Sequence, residues 1–149
     1  GEQRSQGIEF DLIGEILPGW NIAANYAYTD TEITRDNTGL QGNRLFGVPE
    51  HNANLWTSYE IQDGDLGGLQ VGVGFNLVSE RFGDNANTFL LDEYFLTNAV
   101  IAYRRDNWRV ALNIRNLFDV DYIDSSSTLR LTNRPGDGFT ILGNIVIEF

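Results

Sequence analysis

The sequence predicts an all-β protein, namely an antiparallel up-and-down transmembrane β-barrel segment of about seven strands. Seven stretches alternate apolar and polar residues, which is the period of a strand whose two faces meet different surroundings. Short turns and long polar loops alternate between these stretches, as in outer-membrane barrels. No stretch holds the roughly 18 consecutive apolar residues of a membrane-spanning helix, so any crossing would use strands.

The first two strands form a hairpin around the turn at Pro18 and Gly19. The first strand opposes an apolar face to an acidic one, and its apolar residues are Ile8, Phe10, Leu12 and Ile16. The second strand gathers apolar and aromatic residues on one face, namely Trp20, Ile22, Ala24, Tyr26 and Tyr28. We expect the polar residues from Asp30 to about Glu50 to form the first long loop.

The third and fourth strands are joined by the short turn QDGDLGG. The apolar face of the third strand carries Ala53, Leu55, Thr57, Tyr59 and Ile61. The apolar face of the fourth carries Leu69, Val71, Val73, Phe75 and Leu77. On the other face of the fourth strand, Gly72 and Gly74 predict tight packing or a bend. The second long loop is expected around Arg81 to Asp92.

The last three strands complete the pattern, with a short turn at 104–107 and a third long loop from about Ile123 to Gly138. The apolar residues of the fifth and sixth strands are Phe95, Thr97, Ala99, Ile101, Tyr103, Trp108, Val110, Leu112 and Ile114. Those of the seventh are Phe139, Ile141, Ile145, Ile147 and Phe149. An odd number of antiparallel strands does not close on itself, and open edges in lipid leave backbone groups unsatisfied. We therefore expect an incomplete barrel or one closed by several copies.

Aromatic residues recur at two heights along the strands. Near the short turns and the last residue lie Trp20, Tyr59, Tyr103, Trp108 and Phe149, which predicts a girdle at one membrane interface. Nearer the long loops lie Tyr28, Phe95, Phe118 and Phe139, which predict the opposite girdle. Alternation alone does not distinguish a lipid-facing surface from a dry interior. A soluble up-and-down barrel that binds a small apolar ligand therefore stays an alternative.

Composition and the titratable residues argue against other classes of function. The chain has 21 acidic and 10 basic residues, a net charge of −11 and no lysine, so nucleic acid is not an expected partner. The only histidine, His51, has no cysteine beside it for a zinc site and no pattern of a catalytic triad around it. Asp119, Asp121 and Asp124 lack the spacing of a calcium loop. We expect no enzyme activity, no metal site and no cofactor.

Ligand contacts are expected on the long loops, because loops on a rigid scaffold carry recognition. Aromatic rings and guanidinium groups suit an anionic, planar chelate. The candidate residues are Arg44, Phe46, Arg81, Phe82, Phe89, Tyr94 and Arg130.

Four segments resemble the TonB-dependent siderophore receptors: GNRLFGVPEH at 42–51, SERFGD at 79–84, NLFDVDY at 116–122 and the terminal aromatic strand. The whole chain, in this order, is similar to the C-terminal barrel strands of that family and is most similar to ferrichrome or ferric hydroxamate receptors. Such receptors have a barrel of about 22 strands, an N-terminal plug and a segment that contacts TonB. The resemblance implies that 116–122 is structural and marks the approach to an external loop.

The resemblance also implies a function and a set of partners. Residues 1–149 would be the C-terminal part of a receptor barrel without its plug domain, in the outer membrane of a Gram-negative-type bacterium. The complete receptor would take up a ferric siderophore, and this part alone would not transport. The implied partners are outer-membrane lipid, the remaining strands and plug, TonB, and the barrel-assembly machinery, for which Phe149 would be the terminal signal. The residues themselves also leave open a stand-alone chain whose copies build an oligomeric barrel.

Overall fold

The computed structural model describes residues 1–126 and 130–149. In this part of the chain there are eleven strands and one 3-10 helix, Arg130–Thr132. The strands are β1 (Glu2–Leu17), β2 (Trp20–Arg35), β3 (His51–Glu60), β4 (Leu69–Val78), β5 (Arg81–Phe82), β6 (Leu90–Leu91), β7 (Tyr94–Arg105), β8 (Trp108–Arg115), β9 (Ile123–Ser125), β10 (Arg134–Pro135) and β11 (Thr140–Ile147). The seven long strands form one antiparallel sheet in the order β1-β2-β3-β4-β7-β8-β11. The predicted fold class and the seven strands are confirmed.

The strand register separates the sheet into an apolar face and a polar face. One row of the apolar face crosses five strands through Phe10, Tyr26, Ala53, Leu77 and Phe95. The adjacent row of the polar face runs through Asp11, Asn25, Asn54, Asn76 and Leu96. Because side chains alternate between faces along each strand, the period of two in the sequence becomes two chemically different surfaces.

The sheet is a single open layer whose edges are β1 and β11. Nearly every residue of these two strands is exposed, including Phe10 at 65% and Ile145 at 69%. No side chain in residues 1–126 and 131–149 is completely buried. A soluble barrel would need its first and last strands paired around a filled interior, so that alternative is wrong for this sheet. The apolar face instead needs lipid to cover it.

The first hairpin is longer than the sequence predicted. β2 continues to Arg35, so the expected start of the first loop at Asp30 is wrong by several residues. Polar side chains pair across the extended part, with Arg4 Nη2 2.6 Å from Glu32 Oε2 and Gln6 Nε2 donating to Asp30 at 3.2 Å. Cross-strand pairs of this kind stabilise the pairing of two strands. The sequence did not indicate this part of the hairpin, because its residues do not alternate between apolar and polar.

The long loops contain ordered structure of their own. β5 and β6 pair inside the second loop, and β9 and β10 pair inside the third. β11 is shorter than the predicted last strand, because Phe139 precedes it and Phe149 lies two residues beyond it. None of the helical residues that the structure describes makes a segment long and apolar enough to cross a membrane.

Candidate functional site

Three long connections leave the sheet at the same end, since alternate connections of an antiparallel meander share an end. We call them loop A (residues 36–50), loop B (79–93) and loop C (116–139). The other connections are short turns at the opposite end. The loop end therefore gathers segments that lie far apart in the sequence, and it contains the predicted ligand residues.

Loops A and B are joined by asparagine side chains that bind backbone groups. Asn43 Nδ2 donates to the Asn85 carbonyl at 2.9 Å, and the Phe46 N–H donates to Asn85 Oδ1 at 3.2 Å. Asn87 and Arg44 bond reciprocally: the Arg44 N–H donates to Asn87 Oδ1, and Asn87 Nδ2 donates to the Arg44 carbonyl, both at 2.9 Å. Asn87 has a φ of 54°, a conformation that asparagine tolerates better than most residues. These bonds fix the two loops to each other.

Loops B and C are joined at Arg81, which is only 4% exposed. Arg81 Nη2 donates to the carbonyls of Ile123 at 2.6 Å and Asp124 at 2.9 Å. The guanidinium carbon lies 5.4 Å from the centre of the Tyr94 ring, and that ring is 4.5 Å from the ring of Tyr122. Burial, followed by the nearby carboxylate of Asp124, raises the pKa of the Tyr122 phenol. A charged side chain thus links two loops about forty residues apart.

Loop C is closed at its base by Asn116, which is 3% exposed and has a φ of 48°. Its Nδ2 donates to the carbonyls of Val120 at 2.9 Å and Asp137 at 3.1 Å, and its Oδ1 accepts from the Val120 N–H at 2.8 Å. Asp119 Oδ1 accepts a hydrogen bond from the N–H of Phe139 at 2.8 Å. These bonds give the segment 116–122 a structural role, as the resemblance implied.

The seven predicted ligand residues all lie at the loop end, but their side chains differ in exposure. Arg81 lies inside the joint between loops B and C, and Phe89 is buried where a Cβ on Gly83 would be 1.9 Å from its ring. Partly exposed are Arg44, Phe46, Phe82 and Tyr94. Arg130 begins the 3-10 helix, and its side chain lies outside the described part. Ligand contact by these residues stays a prediction, and the side chains with exposed surface are the better candidates.

Sequence reasoning did not identify Asn85 and Asn87, which hold loop A in place. The signal was the run DNAN at 84–87, whose side chains favour bonds to nearby backbone over regular structure. Sequence reasoning also assigned no role to Trp56, although a large aromatic ring is unusual among the polar residues of that face of β3. The bonds of Asn85 and Asn87 depend on the position of loop A, and the surroundings of Trp56 depend on its pairing with β4.

The predicted interface aromatics that belong to the seven long strands lie on the apolar face, toward one end of the sheet or the other. Near the short turns, Trp20 is paired with Tyr59, and the rings of Tyr103 and Trp108 are 5.7 Å apart. Phe149 lies beyond β11 and is fully exposed. At the loop end the structure places Tyr28, Phe95 and Phe139, with Phe118 exposed in loop C. Their role as membrane girdles stays a prediction.

His51 lies on the apolar face at the loop end of β3. Its Nδ1 is 2.8 Å from the Tyr26 hydroxyl, and its ring centre is 5.4 Å from that of Tyr28. No group of three or more His, Asp or Glu residues in 1–126 and 130–149 is arranged to hold a metal ion. The contacts of His51 are those of an aromatic cluster.

The family model described as TonB dependent receptor-like, beta-barrel matches residues 1–117. This chain belongs to the TonB-dependent receptor β-barrel family. It is 36% identical over 130 residues to the ferrichrome outer membrane transporter/phage receptor of Escherichia coli strain K12, with 84% of this chain and 17% of that protein aligned. It is 35% identical over 128 residues to the metal-pseudopaline receptor CntO of Pseudomonas aeruginosa, covering 85% of this chain and 18% of that protein.

Solved structures agree with this membership. The siderophore receptor PiuA from Acinetobacter baumannii superposes with a TM-score of 0.82 at 30% identity, over 97% of this chain and 22% of that one. The ferric yersiniabactin uptake receptor FyuA from Yersinia pestis has a TM-score of 0.88 over 99% of this chain and 24% of that one, and at 23% identity it supports the fold alone. The chain spans about a fifth of the length of these relatives.

Proposed function

We propose that this chain forms part of the barrel wall of a TonB-dependent receptor that takes up a ferric siderophore. The observation that carries the proposal is the open sheet itself, with one apolar face, one polar face and three joined loops at one end. The apolar face would contact outer-membrane lipid, and the polar face would line the lumen. Further strands and a plug would complete the barrel, so residues 1–149 alone would not transport.

The choice of ligand class rests on the relatives and on the chemistry of the loops. Relatives are named for ferrichrome and for ferrioxamine B. In this chain, Phe46 offers a ring at the loop end, and Arg44 offers a guanidinium whose Nη1 also lies 3.2 Å from Glu50 Oε1. A ring and a guanidinium suit an anionic chelate. We propose a receptor, and not an enzyme, because the relatives are named as transporters and receptors. TonB and the assembly machinery, with Phe149 as its signal, are the proposed partners.

Uptake by cells that express the complete receptor tests the proposal. Ferrichrome, ferrioxamine B and a ferric pyoverdine, each labelled with radioactive iron, would be supplied with and without a functional TonB. We expect TonB-dependent uptake of at least one of them. The variants R44Q and F46A should raise the half-saturating concentration several-fold, whereas R134Q, at an exposed site in loop C, should not.

A metal–pseudopaline complex serves as the second ligand class, because one relative is a receptor for it. Uptake of that complex, with none of the three iron chelates taken up, would replace the ferric siderophore by a different metallophore. Absence of TonB-dependent uptake for every chelate would contradict the proposed function.

A further inference from the structure

An arginine lies on the apolar face of the sheet where β7 ends. Arg105 is exposed and is paired with Trp108, the first residue of β8. Because side chains alternate between the two faces, Arg105 shares its face with Tyr103, whose ring is 5.7 Å from that of Trp108. Arg104 belongs to the polar face, where it is opposite Arg109. The last two residues of β7 therefore present one guanidinium to each face of the sheet.

The guanidinium of Arg105 differs from that of Arg104 in its surroundings. Arg104 lines a hollow together with the acidic residues Asp106 and Glu148. Within residues 1–126 and 131–149, Arg105 makes no ion pair, no side-chain hydrogen bond and no contact with an aromatic ring. A face that lipid covers offers little water to its N–H donors, so an anionic group at the edge of the hydrocarbon has to satisfy them.

The indoles of Trp20 and Trp108, both on the apolar face near the short turns, differ in the same way. Trp20 Nε1 donates to Thr57 Oγ1 at 2.8 Å, so its polar atom is satisfied within the sheet. The indole N–H of Trp108 has no hydrogen-bond partner in the part of the chain that the structure describes. Directly paired residues on one face have Cβ atoms about 5 Å apart. A free indole donor therefore lies beside the unpaired guanidinium of Arg105.

A phospholipid matches both the donors and the apolar surface next to them. A guanidinium binds phosphate through two parallel N–H···O bonds, and it is more weakly hydrated than an ammonium group. An indole donates its N–H to a polar group while its ring stays in an apolar layer. On the side of Arg105 away from the turn, the apolar face continues through the exposed side chains of Ile101, Leu112 and Ile145. Acyl chains attached to the phosphate would cover these side chains.

We propose that Arg105 and Trp108 bind the phosphate headgroup of a glycerophospholipid in the membrane leaflet at the short turns, which is the periplasmic side of such barrels. The inference rests on the proposed function, which places the apolar face in lipid. It goes beyond that function by assigning a lipid site, the chemistry of its ligand and the two side chains that recognise the headgroup.

Photolabelling of the complete receptor in nonionic detergent micelles tests the site. The probe is a phosphatidylglycerol with a photoreactive group beside its phosphate, and mass spectrometry locates the labelled residues. We expect label at residues 101–112. R105Q should lower that labelling about fivefold, the contribution of one arginine beside an anionic lipid surface. The matched control is R104Q, which removes the same charge from the neighbouring residue on the polar face and should leave the labelling unchanged.

Two further variants separate the contributions of the headgroup contacts. W108F keeps an aromatic ring and removes the indole N–H, and it should lower the labelling about threefold. R105K keeps the charge and loses the paired N–H groups, so it should retain more label than R105Q. TonB-dependent uptake by cells that express each variant shows that the receptor has folded, and it should stay unchanged in all of them.

Two competitors distinguish a lipid site from other causes of labelling. Inorganic phosphate should not displace the probe, and a photoreactive diacylglycerol without phosphate should label residues 101–112 weakly. Displacement by inorganic phosphate, equal labelling by the diacylglycerol, or equal losses in R104Q and R105Q would overturn the lipid site. With normal uptake, each of these results leaves the proposed function standing. Labelling that depends on Arg105 in a receptor that takes up no chelate would support the lipid site and contradict the proposed function.

Discussion

In the sheet, Leu55 lies between Ala24 and Phe75 because three strands repeat the same period and pair in register. In the loops, Arg44 is held by Asn87 through two bonds that no period predicts. The sheet leaves its apolar face exposed and depends on the surrounding lipid, whereas the loops bury polar side chains such as Arg81 and Asn116, which bond backbone carbonyls of distant segments. Some loop atoms, including Arg81 Nη1, are buried without a partner. The two regions should consequently respond to different substitutions.

The largest effect should come from a charge on the apolar face of the sheet. Leu112→Arg, in the middle of β8, should cost about 2–4 kcal/mol of unfolding free energy in lipid vesicles, because the guanidinium would enter hydrocarbon. Asn113→Arg, at the next position on the polar face, is the control and should cost less than about 1 kcal/mol. Denaturant unfolding of the complete barrel measures both. Equal losses would show that the two faces do not meet different solvents.

Removing the joint between loops B and C should act locally. Arg81→Met leaves the carbonyls of Ile123 and Asp124 without their donor, at a cost of about 1.5–3 kcal/mol in local stability. Hydrogen exchange should accelerate in residues 120–126 and stay unchanged in β7. Arg134→Met removes an exposed arginine from the same loop and should change little. If Arg81→Met accelerated exchange throughout the sheet, the loops and sheet would be one cooperative unit.

The contact of Trp56 with β4 is intermediate between the sheet and the loops. Trp56 belongs to the sheet, but its position depends on one specific neighbour, Gly74. Gly74→Ala should cost about 1–3 kcal/mol, because the new Cβ overlaps the indole. Gly143→Ala, where a Cβ meets nothing within 4 Å, is the control. Adding Trp56→Ala to Gly74→Ala should recover part of the loss, as measured by denaturant unfolding. If the double variant lost as much unfolding free energy as Gly74→Ala alone, the destabilisation would not come from overlap with the indole.

The smallest effect should be a pH dependence in loop A. Asp36 Oδ2 accepts the Thr38 hydroxyl and N–H, both at 2.6 Å, and the Leu40 N–H at 3.2 Å. The Thr38 hydroxyl bond, followed by the backbone bonds, lowers the pKa of Asp36. The stabilisation is therefore present above the usual carboxyl pKa and is lost as pH falls through the lowered folded pKa.

Amide chemical shifts of Thr38 and Leu40 should follow this titration. In the variant Asp36→Asn, the same shifts should be flat across the acidic range. A titration that survives in Asp36→Asn would belong to another carboxyl group.

Much of the sheet could be predicted because its signal is local. Period two assigned the two faces, the turn at Pro18 and Gly19 placed the first hairpin, and the segments at 42–51 and 79–84 indicated the family. The predicted end of β2 was wrong because Asp30 and Glu32 pair with β1 through polar side chains. A strand rich in polar residues resembles a polar loop in sequence.

Tertiary structure alone decided the loop joints and the contact of Trp56 with β4. Arg81 and Ile123 are 42 positions apart, and Trp56 meets Gly74 only because β3 and β4 pair in one register. The alternation of apolar and polar residues along a strand follows from the surroundings of its two faces. The faces can therefore be predicted from that strand's own sequence. Side-chain bonds between distant segments depend on where the sheet has placed both partners, and no single segment records that position.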